Sequence, residues 1–465
     1  MIYGGMPELD ATTLRLVDFA IQTDYNKLPP TAIRECKRRL IDSVGCAIGA
    51  YDEPLCKMAR KVARRYQGTP ASRVWGCNWK TTAEAATFAN GIMLRFLDHT
   101  DAYPVKSRGH PSDVIAAILS VGDALNSDGA CVINAVTLAY EVFCSFCETI
   151  DINSQGWDQP VYAGLATVLG VGKLLNLTRD QMANAVSLTV APNMALYQAR
   201  LGELSSWKGG AAPNACRNGV FAALLARDGF TGPAEVFEGK GGLWNVVGRF
   251  DWRIVTGPDS PHRVTKTHMK SFPVCYHGQS TVWAAFELRK QLRVEEITEI
   301  HIETYRQAIR IMADDPSRWA PATRETADHS LPYVLAVALL DGEFTTEAFS
   351  DQRLVDRVVG ELMAKVKVTE DKALSALHPE AAPCRVHVKT ADGKSFVQEV
   401  MYPRGHARNP MTDAEIEAKF RDMFRSYGTT EQCEAVLNSL WNLEQASNVS
   451  EVLDLLATNR ADEAS

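Results

Sequence analysis

The sequence predicts a mainly α-helical protein with an α+β insertion: a large helical domain built from both chain ends, and a smaller α+β domain between them. Three observations predict it. Apolar residues recur at three-to-four spacing from residue 11 to about 260, the mark of helices that bury one face. After about residue 265 the texture changes, and ITEIHIETY (297–305) alternates and is rich in β-branched residues, as a half-buried strand should be. Helical periodicity returns from about 412 to 458, so the last segment is expected to pack back on the first. A chain of 465 residues exceeds the usual span of one core, which gives an expected division into 1–265, 266–405 and 406–465.

Taken in order, the first strong helix opens at Pro29 and Pro30 and carries Ile33, Leu40, Ile41 and Val44 on one face. Further helices are expected over 81–97, 112–126, 130–148, 161–175, 178–190 and 208–228, with Gly, Pro, Asn or Asp in the turns between them. In ADHSLPYVLAVALLDG (327–342), Ser330 is placed to cap an apolar helix, with Pro332 in its first turn and Gly342 at its end. CRVHVKT (384–390) and SFVQEVMY (395–402) flank Asp392-Gly393, a dipeptide suited to a tight hairpin because both turn positions tolerate positive φ.

Composition narrows the function classes. Hydrophobic residues make up 46% and charged residues 23%, an ordinary balance for a globular chain. With 49 Lys+Arg against 56 Asp+Glu the net charge is −7, which opposes binding to nucleic acid or to an anionic membrane. An anionic substrate therefore needs a local basic pocket. No stretch is expected to reach the roughly 18 apolar residues that span a bilayer. MIYGGMPELD lacks the regions of a signal peptide, so the cytoplasm is the expected compartment. Eleven cysteines, an odd number scattered through apolar helical segments, suit free buried thiols better than disulfides.

Four polar constellations stand out. LDHTDAYPVKSRGHPSD (97–113) joins two helices and offers Asp98, Asp101, Arg108 and His110, either as a loop-borne site or as a solvated connection with Ser112 capping a helix. GELSSWKGGAAPNACRNG (202–219) sets Lys208 at a helix start, an end that favours carboxylates, although a lysine there can also simply snorkel to solvent. MKSFPVCYHGQ (269–279) places Lys270 and His277 at the expected domain junction, where ligand clefts concentrate, though His277 also suits a helix cap. The fourth is Asp328, His329, Ser330 and Tyr333 at the mouth of the apolar helix.

Absences count as well. There is no GxGxxG between strand and helix, no GxxxxGK[ST] and no HExxH; GVGKLL (170–175) and EGKGG (238–242) are partial patterns only. Cys144 and Cys147 form a CxxC with Cys77 upstream, but EVFCSFCETI reads as one continuous helix rather than a loop that wraps a cluster. No metal and no cofactor are expected.

The order LDHTD (97–101), GHPSD (109–113), SWKGGAA (206–212), FPVCYHGQ (272–279) and DHSLPY (328–333) resembles the MmgE/PrpD family from about residue 12 to 455. That resemblance implies a cofactor-independent acid-base enzyme acting on a small polycarboxylate, and a homodimer. Carried over by position, it implies a catalytic set of Asp98, His110, Lys208, Lys270, His277 and Tyr333. Asp101, Arg108, Gln159, Cys275 and His329 are expected to contact substrate. Two departures bear on the reaction. Ala102 replaces a threonine, and Gln159 or Trp157 stands where several relatives carry histidine, which weakens a decarboxylase reading more than a dehydratase one. Decarboxylase-type members place their histidine two positions earlier than His277, where this chain has Cys275.

The expected reaction is loss of water from 2-methylcitrate. One group removes the proton alpha to a carboxylate, another protonates the leaving hydroxyl, and cations hold the enediolate. Decarboxylation of cis-aconitate, epimerisation of an imino- or amino-dicarboxylate, and a non-catalytic polycarboxylate-binding role stay open at this point.

Overall fold

The computed structural model describes residues 9–248, Trp252 and 262–458. Proline in the first turn of Pro30–Gly49 forgoes an N–H that has no helical partner there, and the helix buries Leu40, Ile41 and Val44 while Ile33 is part-buried. Thr82, Asp128 and Thr178 start Ala83–Phe96, Gly129–Thr149 and Arg179–Val190, each side-chain oxygen accepting a first-turn backbone N–H. The helix expected from 112 opens as a 3-10 turn, Pro111–Val114, and continues as Ile115–Leu125. Trp207–Arg227 keeps Pro213 in its interior, and Gly91 lets Ala83–Phe96 close on it, since a Cβ at Gly91 would lie 2.9 Å from the proline ring.

Gly129–Thr149 corrects one expectation. It is long and apolar enough to cross a membrane by length and composition, with a mean hydropathy of 1.6 over 18 residues. Yet 89% of that window is buried inside the protein, against Pro30–Gly49, Ile115–Leu125 and Pro160–Leu174. Its apolarity serves the core.

Two apolar cores form. The first draws on residues from Leu16 to Met269 and again from Met411 to Leu456; the second runs from Val274 to Val388. In the second, four strands lie in the order Val366–Glu370, Ile297–Thr304, Cys384–Thr390, Ser395–Val400, the first pair parallel and the others antiparallel. Ile300, Ile302, Val386 and Val388 point into this core, and Gln279–Arg289 covers the sheet. The hairpin turns at Gly393, whose φ of 82° is the left-handed value that glycine allows without strain. Val366–Glu370 has no counterpart in the sequence reading. It is an edge strand of five residues whose alternation rests on Val366 and Val368 alone, too short a run to stand out beside the helices around it.

The C-terminal helices Asp413–Phe424, Thr430–Trp441 and Val449–Asp454 return to the first core. Phe420 packs where a Cβ at Gly45 would stand 2.9 Å from its ring. Next to it in the chain, Lys419 Nζ donates to Asp42 Oδ1 at 2.6 Å, to His99 O at 2.6 Å and to Lys270 O at 2.9 Å. The end of the chain thereby ties together two segments that carry polar constellations. All eleven cysteines are free thiols; Cys144 and Cys147 lie buried in Gly129–Thr149, where burial pushes both well above the usual thiol range.

Candidate active site

Between the two cores lies a cavity lined by seven Lys and Arg side chains and three Asp. This is the local basic pocket that an acidic protein needs to hold an anion.

Asp98 stands at its centre. The residue follows the end of Ala83–Phe96 and takes φ 49°, a left-handed conformation that costs a non-glycine residue about 1–3 kcal/mol. Its carboxylate accepts from Arg95 at 2.7 Å and from Lys270 at 2.8 Å, and Lys208 Nζ lies 3.6 Å away. Burial pushes the Asp98 carboxyl up, but Lys208, Lys270 and Arg95 outweigh it and hold the group well below the usual carboxylate range. Lys270 is fully buried and also donates to Asp98 O at 2.6 Å. Lys208 is buried rather than snorkelling: its ammonium lies 3.0 and 2.9 Å from the Asp328 oxygens and 3.3 Å from His329 Nδ1. Ligand atoms of Asp98, Asp328 and His329 approach within 4.8 Å of one another, a spacing that suits a metal ion. The Lys208 ammonium already lies among them, so the charge of the three is met by an amine.

The histidines fall into two kinds. His110 Nδ1 lies 2.7 Å from Asp101 O, and because a carbonyl only accepts, Nδ1 carries the proton and Nε2 keeps its lone pair. His277 Nδ1 is hydrogen-bonded to the Tyr305 hydroxyl, not to the helix that follows it. Burial drives both rings well below the usual histidine value, so both are neutral at pH 7. His329 goes the other way: although burial lowers it, Cys275 and Asp328 raise it above the ordinary value.

The cavity gathers Asp98, Arg108, His110, Gln159, Lys208, Lys270, Cys275, His277 and His329 from four separated segments and a helix start. Two expected residues lie elsewhere. Tyr333 is a core residue, its hydroxyl donating to Ala348 O and its ring stacked on Phe349. Asp101 stands behind His110, accepting from Ser112 N at 3.0 Å and from the Tyr140 hydroxyl at 2.9 Å, so it supports the loop and does not line the cavity. Ser112 thus acts through its backbone and caps nothing with its side chain.

Several contributors escaped the sequence reading, Tyr305, Arg200 and Arg318 among them. Tyr305 is the last residue of the stretch read as a strand, and only the folded sheet brings it to His277. Arg200 and Arg318 line the cavity from the short 3-10 helices Tyr197–Arg200 and Pro316–Trp319, which carry no motif. Arg318 is buried with Nε and Nη1 lacking an acceptor among the described residues, and Arg200 leaves Nη2 in the same state. Buried guanidinium donors without partners are costly, and an anion in the cavity would satisfy them.

The two tyrosines make a paired prediction. Tyr305→Phe should lower the turnover number at least about tenfold, part of the roughly 10²–10⁴-fold that a positioned proton transfer supplies. Tyr333→Phe should cost about 1 kcal/mol of stability through its lost hydrogen bond and leave turnover unchanged. Parallel kinetics and urea unfolding separate the two.

Comparison with known proteins agrees in outline. The MmgE/PrpD N-terminal domain matches residues 14–253, and the MmgE/PrpD C-terminal domain matches residues 272–444. The chain is 28% identical to 2-methylcitrate dehydratase of Salmonella typhimurium, over 97% of this chain and 98% of that protein. The 2-methylcitrate dehydratase of Cupriavidus necator is also 28% identical, again with 97% and 98% covered. An alkylcitrate dehydratase of a fungal species shares 28% over 93% of this chain and 91% of its own.

Proposed function

The chain belongs to the MmgE/PrpD family, and from that premise we propose that it is a hydro-lyase that converts 2-methylcitrate to 2-methylaconitate by acid-base chemistry. The observation that carries the reading is the pairing of two neutral buried histidines with a cation-lined cavity where Arg318 Nε and Nη1 and Arg200 Nη2 lack partners among the described residues. The names borne by relatives that align along almost the whole chain support it.

The two rings are held in complementary tautomers. His110, with its proton on Nδ1, presents the Nε2 lone pair and serves as the base for the proton alpha to a carboxylate. Burial pushes Tyr305 well above the usual phenol range, so its hydroxyl keeps its proton and donates it to His277 Nδ1. His277 then carries its own proton on Nε2; as that proton passes to the departing hydroxyl, Nδ1 takes the Tyr305 proton, and Tyr305 is reprotonated through solvent as His110 releases the proton it took. Arg318 and Arg200 take substrate carboxylates, while Lys208 and Lys270 supply positive charge where the enediolate develops. Asp98 holds both lysines in place. We extend the proposal to a cytoplasmic homodimer whose α+β part covers the bound substrate, in line with the resemblance in sequence.

Proton NMR of chelator-treated protein in deuterated water tests the reading. Loss of water from 2-methylcitrate is the expected result. Deuterium entering an intact aspartate-derived imine would point to an epimerase, carbon dioxide release from cis-aconitate to a decarboxylase, and no change in any sample would sink the enzymatic reading.

A further inference from the structure

We propose that Cys275 is a site of covalent modification by small carboxylate-bearing electrophiles, with His329 and Asp328 as the pair that activates it. Cys275 and His329 both line the cavity. The Cys275 backbone N–H donates to Asp328 O at 3.0 Å, which latches the 328–329 segment to the residue that bears the thiol. His329 shares the cavity wall with the thiol and is the chief influence that lowers it, and His329 Nδ1 is in turn hydrogen-bonded to the Asp328 carboxylate. A thiol, an imidazole and a carboxylate brought together in this way favour the thiolate and the imidazolium over the neutral pair.

The other buried thiols show what this arrangement changes. Burial raises Cys36, Cys144 and Cys216 far above the usual thiol range, whereas at Cys275 the contact with His329 overcomes burial and lowers it. An independent observation supplies the anion receptor. Arg318 is buried, lines the same cavity and has no acceptor for Nε or Nη1 among the described residues. A carboxylate held there brings an attached electrophilic carbon into the space that the thiolate faces.

The chemistry balances without a further reactant. With an unsaturated carboxylate, Sγ bonds to the β-carbon, the π pair moves to the α-carbon, and that carbon takes the proton of the His329 imidazolium; nothing leaves. With iodoacetate, the sulfur-carbon bond forms as the carbon-iodine bond breaks, and iodide departs with the pair.

The test compares iodoacetate with neutral iodoacetamide on the intact protein, mapping modified peptides with exposed Cys131 as the internal reference. Iodoacetate is expected to label Cys275 at least about tenfold faster than Cys131, and iodoacetamide to show no such preference. His329→Gln should slow Cys275 labelling about tenfold and leave Cys131 unchanged. The proposal is overturned if Cys275 stays unlabelled while Cys131 reacts, or if the neutral reagent selects it equally well. The comparison of reagents on the unaltered protein decides the matter even if the variant fails to fold. Labelling is read without turnover, so its failure leaves the dehydratase reading standing, and a protein labelled at Cys275 that dehydrates nothing would sink only that reading.

Discussion

His277→Asn is expected to lower kcat on 2-methylcitrate by about 10²–10⁴-fold, a loss of roughly 3–5 kcal/mol in transition-state stabilisation, with the folded state intact. Asparagine roughly fills the place of the ring and can accept from Tyr305, but it cannot give a proton to a leaving hydroxyl. His110→Asn should cost a similar factor, and the double variant little more than either single one, because a base without its acid leaves the same uncatalysed step. The pH profile sharpens the test. Both rings are depressed well below 6.5 by burial, so they remain unprotonated as pH falls through 6.5 and gain a proton only below it. The acid limb of kcat/KM is therefore expected below pH 6.5; an ordinary histidine limb at 6.5 would show that these rings are not the ones that titrate.

Much of this site was legible because its residues fall in compact polar runs set against apolar helices. Lys208 and Lys270 stand out as charges in the polar runs at 202–219 and 269–279, and the fold pairs both with Asp98. Tyr333 misled for a local reason. Its backbone N–H is spent on the Ser330 cap, 3.2 Å from Oγ, and its side chain falls on the same apolar helix that buries Val334 and Val337. The tyrosine that does meet a histidine, Tyr305, is 28 residues from His277 and reaches it only once Ile297–Thr304 has taken its place in the sheet. Periodicity gives which face a strand residue occupies, not which distant ring it meets. Arg318 was invisible on the same ground: its significance lies in the acceptors it lacks, and a sequence carries no record of partners left unmade.

Asp98→Asn is expected to abolish detectable turnover and to destabilise the protein by about 3–5 kcal/mol, since removing one partner leaves buried charge uncompensated. Arg95 retains Asp113 at 3.2 Å and Lys208 retains Asp328 at 2.9 Å, so the loss concentrates on Lys270. That lysine is fully buried, and its remaining acceptor at the site is the Asp98 backbone oxygen at 2.6 Å. Burial already lowers Lys270 below the ordinary lysine value, with Asp98 as the chief opposing influence. Without the carboxylate the folded-state pKa falls further. The unfolded chain then binds more protons than the folded one between that depressed value and about 10.4, so stability rises with pH across the window. Urea unfolding at pH 7 and pH 9 should accordingly show a wide gap between variant and parent that narrows at the higher pH. An equal gap at both would mean that the variant suffers from lost packing and not from a stranded ammonium, and Asp98 would then be a structural acid with no electrostatic hold on Lys270.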